Sequence, residues 1–150
     1  MKVIATNKKA FFNYEISDTY EAGVSLLGSE VKSIREGKIS LKESYAEIKG
    51  GEVFLINCNI SPYDAANRFN HEPRRERKLL LHRQEIKRLV GKIKEKGFTL
   101  VPTKVLINDR GKVKVEIALA KGKKVYQKKE AIKERERERE LRAEIKRGWR

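Results

Sequence analysis

The segment Lys121-Gly122-Lys123-Lys124, followed by Tyr126 and Lys128-Lys129, interleaves cations with a glycine and an aromatic ring. Cations neutralise phosphates and a ring stacks on an unpaired base, so this composition suits contact with nucleic acid. The competing reading is a solvated, floppy tail. A second cluster, Arg74, Arg75, Arg77 and Lys78, carries guanidinium forks that match phosphate oxygens. Its competing reading is surface ion pairing with Glu72 and Glu76. Lys87, Arg88, Lys92 and Lys94 make a third basic face, whose simpler use is solubility.

Catalytic chemistry finds little support. His71 and His82 are the only histidines, and neither stands at a metal-ligand spacing. Cys58 is the only cysteine, which rules out an internal disulfide and a CxxC-type zinc site. There is no GxxxxGK[ST] loop and no GxGxxG after a strand. Asp64 with Glu72, or His71 with a carboxylate, is the acid–base pairing on offer, and ordinary loop polarity explains it better. No enzyme, cofactor or metal is expected.

The elements that must position these residues read mostly as strands. Phe12, Tyr14 and Ile16 alternate with polar neighbours at strand period. Glu21 to Gly28 is expected to be a short helix, and Val31 to Arg35 a strand. Ser44–Lys49 and Glu52–Ile60 flank Gly50-Gly51, the signature of a tight hairpin with positive φ at both turn residues. Residues 61–78 form the longest loop. Leu79-Leu80-Leu81 reads as core, with at least one leucine pointing outward. Ile86, Leu89, Val90 and Ile93 make one apolar helix face, which Gly97 ends. Phe98–Ile107 is a strand with a bulge or edge at Pro102. After a turn at Asn108–Gly111, Val113, Val115, Ile117 and Leu119 alternate with polar neighbours along a half-buried strand. The expected fold is mainly β: a small closed antiparallel barrel with a few appended helices.

The chain has 150 residues, which suits one domain, and a formal net charge of +15. That excess calls for a polyanionic partner, nucleic acid ahead of a membrane surface. Residues 121–150 alone hold 13 basic and 6 acidic side chains. Leu141, Ile145 and Trp149 make a stripe too narrow to bury a helix. We therefore expect a domain over 1–120, after a short mobile start at 1–10, and a basic tail over 121–150, disordered when free and helical when bound. The apolar stretch Val3–Ala5 is too short for a signal core, and no apolar run approaches a membrane span, so a cytoplasmic protein is expected.

Three long strings carry a family resemblance: EAGVSLLGSEVKSIREG at 21–37, NHEPRRERKLLLH at 70–82 and LAKGKKVYQKKEAIKERE at 119–136. Together they resemble the small protein B (SsrA-binding protein) family, collinearly and over nearly the whole chain. Asn7, Tyr45 and Gly51-Glu52 also fall where that family has them. The resemblance implies an oligonucleotide-binding-like barrel with a flexible basic tail. It also implies a function: binding tmRNA and delivering it to stalled bacterial ribosomes for trans-translation. A monomer is expected.

Residue by residue, the resemblance implies that Asn7, Glu21, Leu80 and Lys114 grip the tRNA-like part of tmRNA. It implies that Lys121, Gly122, Lys123, Lys124, Tyr126, Lys128, Lys129 and Ile145 meet the decoding centre and empty mRNA channel. Gln127 stands where the family commonly has Asp, so the contact at that position departs from the family pattern. The main competing class is a ribosomal or single-strand RNA module on the same barrel. Preference for a folded tRNA-like domain over single strands separates the two. A metal-dependent nuclease is the third class.

Overall fold

The computed structural model describes residues 1–63, 70–122, 135–137 and 139. Nine strands are present among them: β1 Lys2–Thr6, β2 Tyr14–Val24, β3 Ile39–Ser40, β4 Tyr45–Lys49, β5 Glu52–Ile56, β6 Asn59–Ile60, β7 Arg77–Leu80, β8 Thr99–Ile107 and β9 Val113–Gly122. Three helices accompany them within residues 1–122: α1 Lys8–Asn13, α2 Gly28–Arg35 and α3 Arg83–Lys96. Every strand pairing is antiparallel. Starting from β8, the main ladder runs through β4, β5, β7, β2 and β9 and returns to β8. The circuit closes at the pair Ala46↔Leu100, and β1 lies beside the far half of β8. Closing a sheet on itself removes exposed edges, the barrel solution expected for this chain.

Alternation drives the closure. Leu79, Val53, Leu55, Leu100, Val105, Val115, Ile117 and Leu119 each fall below 3% exposure and fill the interior. The β4–β5 hairpin turns on Gly50 and Gly51, at φ of +59° and +77°. Two successive positive φ values are what a two-residue primed turn requires. α3 lays Leu89 onto the core with Ile86 and Ile93 beside it, and Gly97 caps it at φ +65°. A register shift between Pro102 and Lys104 places the expected bulge.

Five sequence expectations are corrected. Glu21–Val24 is not helical: β2 continues through it, burying Ala22 and alternating as a strand should. The helix lies one element later, where Val31–Arg35 was expected to be a strand. α2 buries Glu30, Ser33 and Ile34 on one side, a polar pattern that hides its helical period. Residues 1–10 are not a loose start, because β1 pairs with β8 and α1 takes in Phe12. The run after Gly51 stops at Ile56, where Asn57 adopts φ +62°, and resumes as β6. β9 also outlasts the composition break, pairing Lys121 with Glu15 and Gly122 with Tyr14.

Cys58 is fully buried, and burial pushes its thiol up to about 11 from a usual 9.0. Only the thiolate is nucleophilic, so alkylation at neutral pH must wait for the fold to open. We expect Cys58 labelling to stay slow in native buffer and to become fast at the denaturant midpoint. Rapid labelling of the native protein would contradict that burial.

Candidate nucleic-acid interface

Three strands lying side by side, β7, β2 and β9, build the surface of interest. Gly23 of β2 is the register partner of Leu80 on β7 and of Lys114 on β9. Leu80, Gly23 and Lys114 therefore form one row across the outer face. β7 shows how the sequence achieves this: Arg77 and Leu79 point in, while Lys78 and Leu80 point out. Leu80 is 53% exposed, an apolar side chain presented to solvent beside its buried neighbour Leu79. Glu21 lies two residues back along β2, exposed on the same face and opposite Glu116.

The charges on this face are not equivalent. Lys104 pairs with Glu116, Lys78 with Glu52, and Lys92 with Asp18. Lys114 makes no ion pair among the described residues. A cation left without a carboxylate beside an exposed leucine suits a phosphate with its attached nucleoside. Two grooves, of about 620 and 370 Å³, share Leu80, Gly23 and Lys114 in their walls.

Asn7 is set differently. It is 8% exposed and caps α1, with Oδ1 accepting from Ala10 N–H at 3.3 Å and Nδ2 donating to the Pro102 carbonyl at 2.9 Å. Its backbone N–H reaches the Thr103 carbonyl, and the Thr103 hydroxyl donates to Glu116 Oε2 at 3.0 Å. Asn7 thus joins α1 and β8 through hydrogen bonds that lead to Glu116, the partner of Glu21. The structure brings Glu21, Leu80 and Lys114 together, and ties Asn7 to them through the scaffold.

The arginine cluster is largely structural. Arg77 is fully buried, with Nε donating to Glu30 Oε2 at 2.5 Å and its terminal nitrogens donating to the carbonyls of Cys58, Pro73 and Glu72. Arg75 donates to Glu30 Oε1 at 2.6 Å, and the Leu27 N–H bonds the same oxygen at 2.7 Å. Burial alone would raise the Glu30 carboxyl, but the bonds from Arg75, Leu27 and Arg77 outweigh it and hold it below its usual 4.5. Arg74 is spent on Asn57. The ion pairing weighed against phosphate contact for Arg75 and Arg77 does occur, but with the distant Glu30, not Glu72 or Glu76.

His71 is likewise committed. Its Nε2 donates to the Ile60 carbonyl at 2.8 Å, and Nδ1 shares a 2.8 Å hydrogen bond with the Ser29 hydroxyl. Both ring nitrogens are engaged inside the fold and the residue is 6% exposed, a structural placement. Asp64 lies outside the described residues.

Of the tail residues, Lys121 and Gly122 are the exposed end of β9, and the Lys121 ammonium lies 4.7 Å from the centre of the Phe98 ring. Lys123, Lys124, Tyr126, Lys128, Lys129 and Ile145 lie outside the described residues. Sequence reasoning missed Gly23 and Glu30. A glycine inside a strand is the usual mark of close backbone approach, but reading 21–28 as a helix concealed it.

Comparison with known proteins follows the same line. The family model described as SmpB protein matches residues 4–147. An SsrA-binding protein from Symbiobacterium thermophilum is 59% identical over 138 residues, covering 92% of this chain and 87% of its own. One from Thermosipho africanus is 57% identical over 148 residues, 99% of each chain. A solved structure described as "tmRNA-SmpB: a journey to the center of the bacterial ribosome" superposes with a TM-score of 0.70 at 47% identity, covering 88% of this chain and 95% of the other.

Proposed function

The chain belongs to the SmpB protein family, and from that premise we propose that its outer β7–β2–β9 face holds the tRNA-like domain of tmRNA. The protein delivers that RNA to stalled bacterial ribosomes in trans-translation. It is an RNA-binding partner and performs no chemistry; peptide transfer belongs to the ribosome. It works in the cytoplasm, where ribosomes are.

The observation that carries this reading is Lys114, which makes no ion pair among the described residues, beside the exposed Leu80. Lys114 takes a phosphate, Leu80 packs on an unstacked base, and Glu21 accepts from a base amino group or ribose hydroxyl. Asn7 acts by fixing α1 on β8. β9 runs to Gly122, and the residues from Lys121 onward are those that meet the ribosome. Lys121, Gly122, Lys123, Lys124, Tyr126, Lys128 and Lys129 approach the decoding centre, and Ile145 acts further along the mRNA channel. Ordering such a tail costs entropy, so it adds selectivity for empty ribosomes more than affinity.

Lys114→Ala tests the face directly. Each lost phosphate contact lowers the slope of log affinity against log salt by about one. We expect weaker tmRNA binding with the slope reduced by about that amount. An unchanged slope would remove Lys114 from the phosphate contacts and the proposal with it.

A further inference from the structure

Two of the usual reasons for a glycine are missing at Gly23. Interior strand positions take glycine for an unusual backbone, for a bulge, or because something comes close to the Cα. Gly23 is absent from the positive-φ residues, so its backbone suits any side chain. Register runs unbroken from Glu21↔Glu116 through Ala22↔Val115 to Gly23↔Lys114, so there is no bulge. Close approach remains, and part of it is internal: a Cβ there would stand 3.3 Å from Leu80 Cβ, tighter than an ordinary contact, with Leu80 Cδ1 at 3.5 Å and Lys114 Nζ at 3.6 Å in ordinary contact. Those atoms flank the position from the two neighbouring strands. The bare Gly23 thus seats Leu80 on one side and leaves its peptide in the walls of both grooves. The two grooves meet over it.

We propose that Gly23 is a specificity-determining residue of the RNA-binding face, its bare peptide forming the floor on which one unstacked nucleobase lies flat. Leu80 supports that base from β7, and Lys114 holds a phosphate of the same nucleotide from β9. The N–H and C=O of a strand residue lie in the sheet plane, directed along the ladder. What Gly23 offers outward is therefore a flat, apolar surface that any base can cover. A methyl carbon standing about 1.5 Å off the Cα would lift the base away from it. This inference rests on the tmRNA-binding reading above.

The test compares full-length wild-type protein, Gly23→Ala and Gly91→Ala. Gly91 lies on α3 with nothing within 4 Å of an added Cβ, so it controls for generic effects. Each is titrated with tmRNA and with unstructured RNA, and each is melted. Gly23→Ala is expected to keep a cooperative melt, with a small Tm change as Leu80 gives way to the methyl, to keep its affinity for unstructured RNA, and to lose about tenfold in affinity for tmRNA, the scale of one disturbed stacking contact. Gly91→Ala binds like wild type. A second readout needs no variant: adding the tRNA-like fragment of tmRNA to wild-type protein should move the Gly23 α-proton resonances upfield by the ring current of the stacked base.

Unmoved α-protons, or wild-type tmRNA affinity in Gly23→Ala, would overturn the proposal. If Lys114→Ala still weakened tmRNA binding in that case, the RNA-binding reading would survive it. A wild-type protein with no preference for tmRNA would overturn both.

Discussion

Cutting the chain after Gly122 should leave tmRNA binding nearly intact and reduce tagging of stalled nascent chains to background. The cut belongs at Gly122 because β9 runs that far and pairs its last residues with Tyr14 and Glu15. An earlier cut would unzip β2 from β9 and confuse loss of fold with loss of function. The removed segment carries much of the net charge of +15, so non-specific RNA binding should weaken and its salt dependence flatten. The β7–β2–β9 face is untouched by the cut, and the preference for tmRNA should persist. Binding and single-round tagging, measured on the same truncated protein, separate the two halves of the account. If truncation destroyed tmRNA binding, the division of labour between barrel and tail would be wrong.

Glu30→Gln should cause the largest loss of stability among conservative substitutions. The glutamine keeps the shape but leaves the fully buried Arg77, and beside it Arg75, without a countercharge. Removing one partner of a buried pair costs about 3–5 kcal/mol. For a domain of this size that is a fall of roughly 6–20 °C in Tm. The consequence is local as well as global. Arg77 also gathers the carbonyls of Cys58, Glu72 and Pro73, so the cluster pins the segment after β6 against α2 and sets β7 in line. Leu80 is displayed three residues further on, so RNA binding should weaken with the fold.

The acid limb gives a second check. The folded carboxyl titrates below its unfolded value of 4.5, so its stabilisation is complete above that pH. It fades as pH falls through the lower folded value. Wild-type protein should therefore lose stability below about pH 4.5 more steeply than Glu30→Gln. Parallel acid profiles, or a Tm change under about 2 °C, would show that the cluster does not hold the fold as described.

What could be read in the sequence was what local chemistry determines. The Gly50-Gly51 hairpin needs only two residues able to take positive φ, and α3 needs only its apolar face and Gly97. The β2 and α2 assignments were exchanged because tertiary context decides them. Ala22 and Val24 fit a strand, but Leu26-Leu27 beside them suggests a helix. α2 buries a glutamate and a serine where a helical stripe would show apolar residues, and its N-terminus is capped by Glu30 from within, without a Ser, Asp or Asn to announce it. The Glu30–Arg77 pair spans 47 residues and leaves no periodic trace. Glu21, Leu80 and Lys114 were named through family resemblance, and strand register is what brings them onto one face. Gly23 needed the register itself, since its meaning lies in what flanks it.

The central claim is that this barrel recognises a folded tRNA-like RNA and does more than attract phosphate. The most direct measurement is a titration of the full chain against tmRNA, an elongator tRNA and an unstructured RNA at three salt concentrations. The account predicts tight tmRNA binding whose preference over the other two survives the highest salt. Equal affinities for all three, falling together as salt rises, would reduce the protein to a generic polycation and contradict the claim.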